Sequence, residues 1–228
     1  MERGRAMTLE EYKKKMNENE EWAPGWEAID ECLKKLYPNQ KERHFGTNML
    51  ERAIFGGNQY LDGYSIFESP KGYMHIITFG MSELYANDKS FGGEWSKWGY
   101  EMTMRLPVCE ESDYMWAIDM MSNLARYTFE LKRYFEPFQY ISGHGQPLRQ
   151  GSDSKLTGLL IVKDPELSEK VDTVHGTLEF LQLVGITQLE LDAIIADKSQ
   201  VQALVDLMKK DNPMFITDLA RANNYLKY

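Results

Sequence analysis

The residues of this chain whose types could do chemistry are four histidines, a serine in a glycine-led turn and two glutamates beside it. His44, His75, His144 and His175 stand apart. No HExxH or HxH spacing puts two of them on one helix or strand face, so a metal site is not expected. His44 and His75 are expected to lie in or beside a sheet and to hydrogen-bond locally. Gly80-Met81-Ser82 begins like a nucleophile elbow, but Leu84 stands where the second glycine belongs. Ser82 therefore reads as a turn residue or a helix cap. Ser142-Gly143-His144-Gly145 lacks the lysine and the strand-to-helix setting of a phosphate-binding loop. Glu83 and Glu101 are the carboxylate pair that acid–base catalysis would use. No nucleophile or oxyanion device accompanies them, and Glu101 shares a strand face with Arg105, close enough for a structural ion pair. No catalytic residue and no cofactor are expected.

The unusual chemistry is apolar. Tyr85, Phe91, Trp95, Trp98, Tyr100, Met102 and Met104 fall within about twenty residues, and aromatics and methionine are enriched at recognition surfaces. Met102 and Met104 are expected in the core. Trp95 and Trp98, in a polar, glycine-bearing stretch, are expected to be partly exposed.

These residues need elements to position them. In Tyr100-Glu101-Met102-Thr103-Met104-Arg105-Leu106 the even positions share one face and the odd positions the other, which predicts a strand. Tyr73 to Phe79 and Gly63 to Glu68 read as further strands in a run of extended segments from Arg43 to Leu106. Residues 158–162 and 178–184 read as strands buried on both faces. Thr8 with Glu11 is a capping box opening a helix to about Glu21, with few apolar residues and so lying loosely on the surface. Pro24 opens a second helix carrying Trp26, Ile29, Leu33 and Leu36. Residues 113–135 predict the longest helix and 142–154 a surface loop. Thr187 with Glu190 caps another helix, Val201, Leu204, Val205 and Met208 stripe the last, and 215–219 reads as a short strand. Helices and strands interleave with no dividing linker. The expected fold is α+β (sandwich-like), a single domain at 23–228 with a central mixed sheet flanked by helices, preceded by a surface helix at 1–22.

Composition bounds the function. A make-up of 43% hydrophobic and 27% charged residues is that of a globular protein, and no run nears the roughly 18 apolar residues of a membrane span. The formal charge of −9 argues against direct nucleic-acid binding and suits a basic partner. Cys32 and Cys109 form neither a disulfide framework nor a zinc motif. With no apolar signal core after the first residues, a cytoplasmic location is expected.

Specific strings then carry a resemblance. Thr78-Phe79-Gly80-Met81-Ser82-Glu83-Leu84-Tyr85, Gly99-Tyr100-Glu101-Met102-Thr103-Met104-Arg105-Leu106 and Leu124-Ala125-Arg126-Tyr127-Thr128-Phe129 resemble motifs of the Suppressor of fused family. So do residues 176–187 and Ile216-Thr217-Asp218-Leu219-Ala220-Arg221, in the family's order, and Trp26-Glu27-Ala28-Ile29-Asp30 is similar to the start of its short bacterial members. The resemblance implies a non-enzymatic domain that holds another protein. The family's animal member adds a partner β-strand between two domains, of which this chain resembles the first; bacterial relatives are associated with toxin systems as immunity proteins. Two positions depart from the family pattern: Ile76 replaces an aromatic after His75, and Thr173-Val174-His175-Gly176 lacks a proline. The resemblance directs attention to His75, Glu83, Tyr85, Asp88, Trp95, Trp98 and Glu101 as partner-binding residues. Competing expectations are a hydrolase or transferase using Glu83, Glu101 and a histidine, and a homodimer built on Trp95 and Trp98.

Overall fold

A computed structural model describes residues 7–41, 43–46, 60–167 and 169–226. Residues 47–59, within the expected run of extended segments, lie outside the described residues. The elements run α1 (Leu9–Glu18), α2 (Pro24–Leu36), β1 (Arg43–Gly46), β2 (Gly63–Ser69), β3 (Tyr73–Phe79), β4 (Trp95–Pro107) and α3 (Glu111–Leu131). They continue as β5 (Tyr140–Ser142), β6 (Leu156–Lys163), β7 (Val171–Thr173), β8 (Gly176–Thr187), α4 (Gln188–Ala196) and α5 (Gln200–Asp211). Both expected capping boxes form: Thr8 and Thr187 each accept an N–H three residues on, from Glu11 and Glu190.

All eight strands join one sheet of order β1-β2-β3-β4-β8-β6-β5, with β7 paired to the free half of β8. Every pairing is antiparallel except β4 with β8, which is parallel. This is the mixed-sheet α+β domain that the alternation of elements implies.

Strand periodicity sorts the residues into two faces. Met74 and Ile76 of β3, Met102 and Met104 of β4, Leu159 and Ile161 of β6, and Leu181 and Leu183 of β8 form one core with Tyr114, Ala117, Ile118, Met121 and Ala125 of α3. The opposite face is covered in two patches. Ile29 and Leu33 of α2 pack on Phe67, Ile77, Phe79 and Phe180. Leu191 and Ile194 of α4 and Val201, Leu204 and Met208 of α5 pack on Leu160, Val162, Val184 and Ile186. Since burying one such aliphatic side chain is worth about 1.5–3 kcal/mol, both layers are needed to hold the sheet.

Two expectations change. Helix α1 is anchored: Tyr12 is wholly buried against Trp22 and Phe91, although most of its helix is exposed. Residues 215–219 are not a strand. Their polar groups go to side chains and one strand end, with Gln182 Nε2 donating to the Met214 and Phe215 carbonyls and Thr217 N–H to the Arg105 carbonyl. The polar face of β4, with Glu101, Thr103 and Arg105, is buried as well. No helix among the described residues is long and apolar enough to cross a membrane.

Candidate functional site

Between the two apolar patches of the second face runs a strip of buried polar groups. Asp164, just past β6, is its hub. Its carboxylate accepts both terminal nitrogens of the Arg105 guanidinium at 2.8 Å, the Thr103 hydroxyl at 2.8 Å, and the Glu166 and Leu167 N–H groups at 2.9 Å. His75 Nε2 lies 3.1 Å from the same carboxylate, while its Nδ1 is 2.8 Å from the Tyr37 hydroxyl. Burial favours the neutral ring, in which Nε2–H donates to Asp164 and Nδ1 accepts from Tyr37. Burial lowers the His75 pKa, against the pull of Asp164. Burial alone would raise the Asp164 carboxyl, but His75 and Arg105 together hold it well below the usual range. The strip continues outward from Arg105 through Glu166 to Lys71, whose ammonium lies 2.6 Å from that carboxylate. Arg105 also donates to Gln182, and Tyr73 to Glu166.

A tyrosine–histidine–carboxylate series resembles acid–base machinery. Here His75, Thr103, Arg105, Asp164 and Gln182 are all 0% exposed, so a substrate on the folded surface meets none of them. Lys71 and Arg105 balance Asp164 and Glu166 in charge, which is what a buried network needs to be tolerated.

Glu101 carries a second buried device. Oε1 accepts the Gly80 and Ser82 N–H groups at 3.0 and 2.9 Å and the Ser82 hydroxyl at 2.6 Å. Oε2 accepts the Thr78 hydroxyl at 2.8 Å and the Met81 N–H at 3.3 Å. Burial raises its pKa, opposed by these donors. The expected Glu101–Arg105 ion pair does not form. Arg105 turns to Asp164, and Glu101 clamps the turn that follows β3. Ser82 is therefore a clamped turn residue, as its sequence setting indicates.

The clamp positions the loop between β3 and β4. Lys97 donates to the Gly80 carbonyl at 2.6 Å and Trp98 N–H to the Met81 carbonyl at 3.0 Å, so the start of β4 is tied to the same turn. The strand bulges between Trp95 and Tyr100, where Gly99 has φ +80° and a Cβ would strike the Trp95 ring at 2.8 Å. The bulge leaves Trp95 43% exposed, and Trp95 and Trp98 both line a hollow of about 450 Å³. Lys170 lies over the Trp95 ring, 4.6 Å from its centre. Tyr85 is 49% exposed, its hydroxyl 3.2 Å from Asp62.

Of the residues singled out from sequence, Glu83, Tyr85 and Asp88 lie on this loop, and Trp95 and Trp98 on the bulge that it leads into. Glu83 joins the two stretches by its N–H to Ser96 Oγ at 3.0 Å, while its carboxylate accepts Asn87 Nδ2 and Ser90 Oγ. Asp88 lies 3.6 Å from Lys13 of α1. His75 and Glu101 lie beneath the surface, so both belong to the interior framework and not to a contact face. Nor does His75 bond locally: its partners, Tyr37 and Asp164, are remote in sequence, whereas His44 bonds to Ser65 on the adjacent strand at 2.9 Å.

Sequence reasoning missed His175. Its Nε2 is 2.8 Å from the Tyr12 hydroxyl and its Nδ1 3.1 Å from the Glu83 carbonyl, and the Tyr12 oxygen accepts the Asn87 N–H at 2.6 Å. It thereby ties α1 to the same loop. Burial lowers its pKa. Asp164, Tyr37 and Gln182 were also missed: Gln182 is a lone polar residue in an apolar run, Asp164 and Tyr37 stand in polar stretches at element ends, and their convergence has no local signal.

These features define a class: a mixed-sheet α+β domain whose strongest ionisable cluster is sealed inside and whose exposed aromatics sit on a clamped loop. The chain belongs to the Suppressor of fused family, whose model, described as Suppressor of fused protein, matches residues 57–222. It is 31% identical to the human Suppressor of fused homolog over 214 residues, covering 86% of this chain and 43% of that protein, with the same figures for the mouse homolog. The chain thus spans less than half the length of these curated relatives. Among solved structures it resembles a chain of the Sufu–Fu complex (TM-score 0.76, 26% identity, 89% of this chain and 93% of that one). It also resembles Drosophila Suppressor of Fused (TM-score 0.75, 26% identity, 89% of this chain and 51% of that one). A Neisseria gonorrhoeae homologue shares the fold at TM-score 0.60 and 14% identity, over 90% of this chain and 98% of that one. Two quoted motifs prove to be one physical unit, since Glu101 of the second clamps Thr78 to Ser82 of the first.

Proposed function

We propose that this chain is a non-catalytic module that binds one partner protein, sequestering or neutralising it. The observation that carries the reading is the pairing of a rigid scaffold with exposed aromatics. The Glu101 clamp fixes the loop, and Tyr85 and Trp95 project from it and from the bulge beside it, with Trp98 in the adjoining hollow. Large, stiff aromatics on a preorganised backbone bury area at little entropic cost, the usual anchor of a protein interface. Glu83 and Asp88 add acidic character for a basic partner. Support also comes from the family, one of whose solved structures is the Sufu–Fu complex. Within this reading residues 23–228 form the binding domain and residues 1–22 an accessory surface helix, both cytoplasmic. The partner is a toxin encoded beside the chain, and the chain its immunity protein, as the resemblance to short bacterial members implies.

Affinity capture followed by mass spectrometry tests it, with wild type beside a Tyr85→Ala/Trp95→Ala variant. A stoichiometric protein kept by wild type and lost by the variant is expected. Recovery of no such partner, the neighbouring gene product included, counts against the reading.

A further inference from the structure

Helix α1 is held to the domain chiefly by one side chain. Of its residues only Tyr12 is wholly buried; Met16 is half-buried and the others are exposed, as are residues 19–21, which join the helix to Trp22. The Tyr12 ring sits in a socket of Trp22, Phe91 and His175, at centroid distances of 5.0, 4.8 and 5.9 Å. Two further ties approach from solvent. Lys13 lies 3.6 Å from Asp88, and the Lys15 ammonium 4.3 Å from the centre of the Trp22 ring. Exposed charge contacts of this kind hold little. The grip on α1 is therefore concentrated in the socket.

The floor of the socket is a chain of hydrogen bonds with a fixed direction. His175 Nδ1 lies 3.1 Å from the Glu83 carbonyl, which can only accept, so Nδ1 carries the ring proton. Nε2 is then the acceptor for the Tyr12 hydroxyl at 2.8 Å, and the Tyr12 oxygen accepts the Asn87 N–H at 2.6 Å. A second proton, on Nε2, turns that acceptor into a donor. The Tyr12 oxygen would then face two donors, and its own hydrogen would have no further partner among the described residues. An unpaired donor and a charge would both be buried, since His175 is only 1% exposed.

The charged groups around the ring are already engaged. Glu83 is the acid whose charge favours protonation, and its carboxylate accepts Asn87 Nδ2 and Ser90 Oγ at 3.0 Å. Lys13 and Asp88 answer each other, and Lys89 and Glu94 of the loop are exposed. Glu27 of α2 accepts from Trp22 Nε1 at 3.4 Å, and Asp172 of β7 from the Thr177 hydroxyl at 3.2 Å. Burial outweighs the attractions of Glu83 and lowers the His175 pKa.

We propose that α1 is a proton-released latch: a proton on His175 Nε2 lifts the helix out of the socket while the sheet stays folded. With the helix off, water solvates the charged ring, which is the difference between the two states that a proton needs to shift them. Docking is whole above the ordinary histidine value of 6.5 and weakens as pH falls through it toward the docked value. Release also frees the Asn87 N–H, so the loop carrying Tyr85 is held less firmly in acid, with the Glu101 clamp still fixing its start. The latch belongs to this chain alone and stands whether or not the loop binds a partner.

Hydrogen exchange of the full chain, read from neutral to mildly acid pH and corrected for intrinsic rates, tests it. Opening of the α1 and Asn87 amides should rise by up to about tenfold per pH unit below 6.5, one proton being taken up per release, while β6 and β8 keep their protection. His175→Gln, which cannot take the proton, should flatten that profile. Tyr12→Ala, on a helix outside the three apolar cores, should unlatch α1 at every pH and raise the midpoint of the His175 ring in an NMR titration toward 6.5. An α1 profile that is flat in wild type, or equally steep in His175→Gln, overturns the proposal. So does sheet protection lost in step with α1, which makes the event global unfolding. A His175 midpoint indifferent to Tyr12→Ala overturns it too, and that titration decides the matter should His175→Gln fail to fold.

Discussion

Replacing Glu101 by Gln tests the clamp that the functional reading depends on. All five groups aimed at the carboxylate are donors, and only the Thr78 and Ser82 hydroxyls can turn round and accept. A protonated Glu101 can place its O–H against Thr78 Oγ1, which then donates to the Met102 carbonyl at 3.3 Å. The amide of Gln can copy that arrangement, except that its second N–H faces the Met81 N–H. One buried donor left unpaired costs about 1–3 kcal/mol, the destabilisation expected for Glu101→Gln at low pH. The pH dependence is sharper. Burial raises the folded pKa above the unfolded one, so the folded chain binds the extra proton between the two values. The advantage of wild type over Glu101→Gln is therefore full below the unfolded pKa and is lost as pH rises through the folded one. Each factor of ten by which the fold favours the acid removes about 1.4 kcal/mol from that advantage. Urea unfolding followed by tryptophan fluorescence, at a series of pH values from acid to neutral, reads it directly. An advantage that grows with pH would refute the reasoning, since the donated bonds would then outweigh burial.

Four further outcomes are expected. Asp164→Asn leaves the buried Arg105 with Glu166 alone as counter-charge and should cost about 3–5 kcal/mol in urea unfolding, while Asp164→Leu with Arg105→Met, which also strands the Thr103 hydroxyl and the Glu166 and Leu167 N–H groups, should cost more. Tyr12→Phe strands the Asn87 N–H and the acceptor Nε2 of His175, and should cost about 1–3 kcal/mol. Because burial lowers the His175 pKa, its contribution is whole above the unfolded value and is lost as pH falls through it toward the folded one; His175→Gln should flatten that acid slope of the thermal midpoint. Tyr85→Ala and Trp95→Ala, at half-exposed positions, should each shift stability by only about 0.5 kcal/mol while abolishing partner capture.

What the sequence made legible follows periodicity. The alternation in β4 predicts its strand and the burial of Met102 and Met104, and the continuous apolar runs of β6 and β8 predict central strands. The same alternation cannot tell whether Glu101, Thr103 and Arg105 face water or a sealed interior, because that depends on α2 and the segment after α5, which arrive from both ends of the chain. The fates of Glu101 and Arg105 diverge for the same reason: each finds a stronger partner from another element than from its strand neighbour. Strand β5 was illegible because three residues carry no period, and 215–219 misled because Phe215-Ile216-Thr217 has strand composition while Phe215 sits at φ +52°. The exposed aromatics were legible from the glycines around them, and the Tyr12–His175 tie was not, since its halves lie 163 residues apart.

The one parallel pairing, β4 with β8, gives the sheet a seam. On one side β1 to β4 are joined in order as an antiparallel meander; on the other, β5, β6 and β7 with β8 make a second antiparallel set. Crossing the seam requires closing a loop that includes α3, β5, β6 and β7, so each set can assemble before the whole can. The polar strip stitches the two: His75 and Arg105 come from the first set, Asp164 and Gln182 from the second. Charge matching across the seam thus acts as an assembly check, since halves joined out of register would leave Arg105 buried and unanswered. A chain cut in the loop at 143–154 would carry complementary halves of that check on separate pieces.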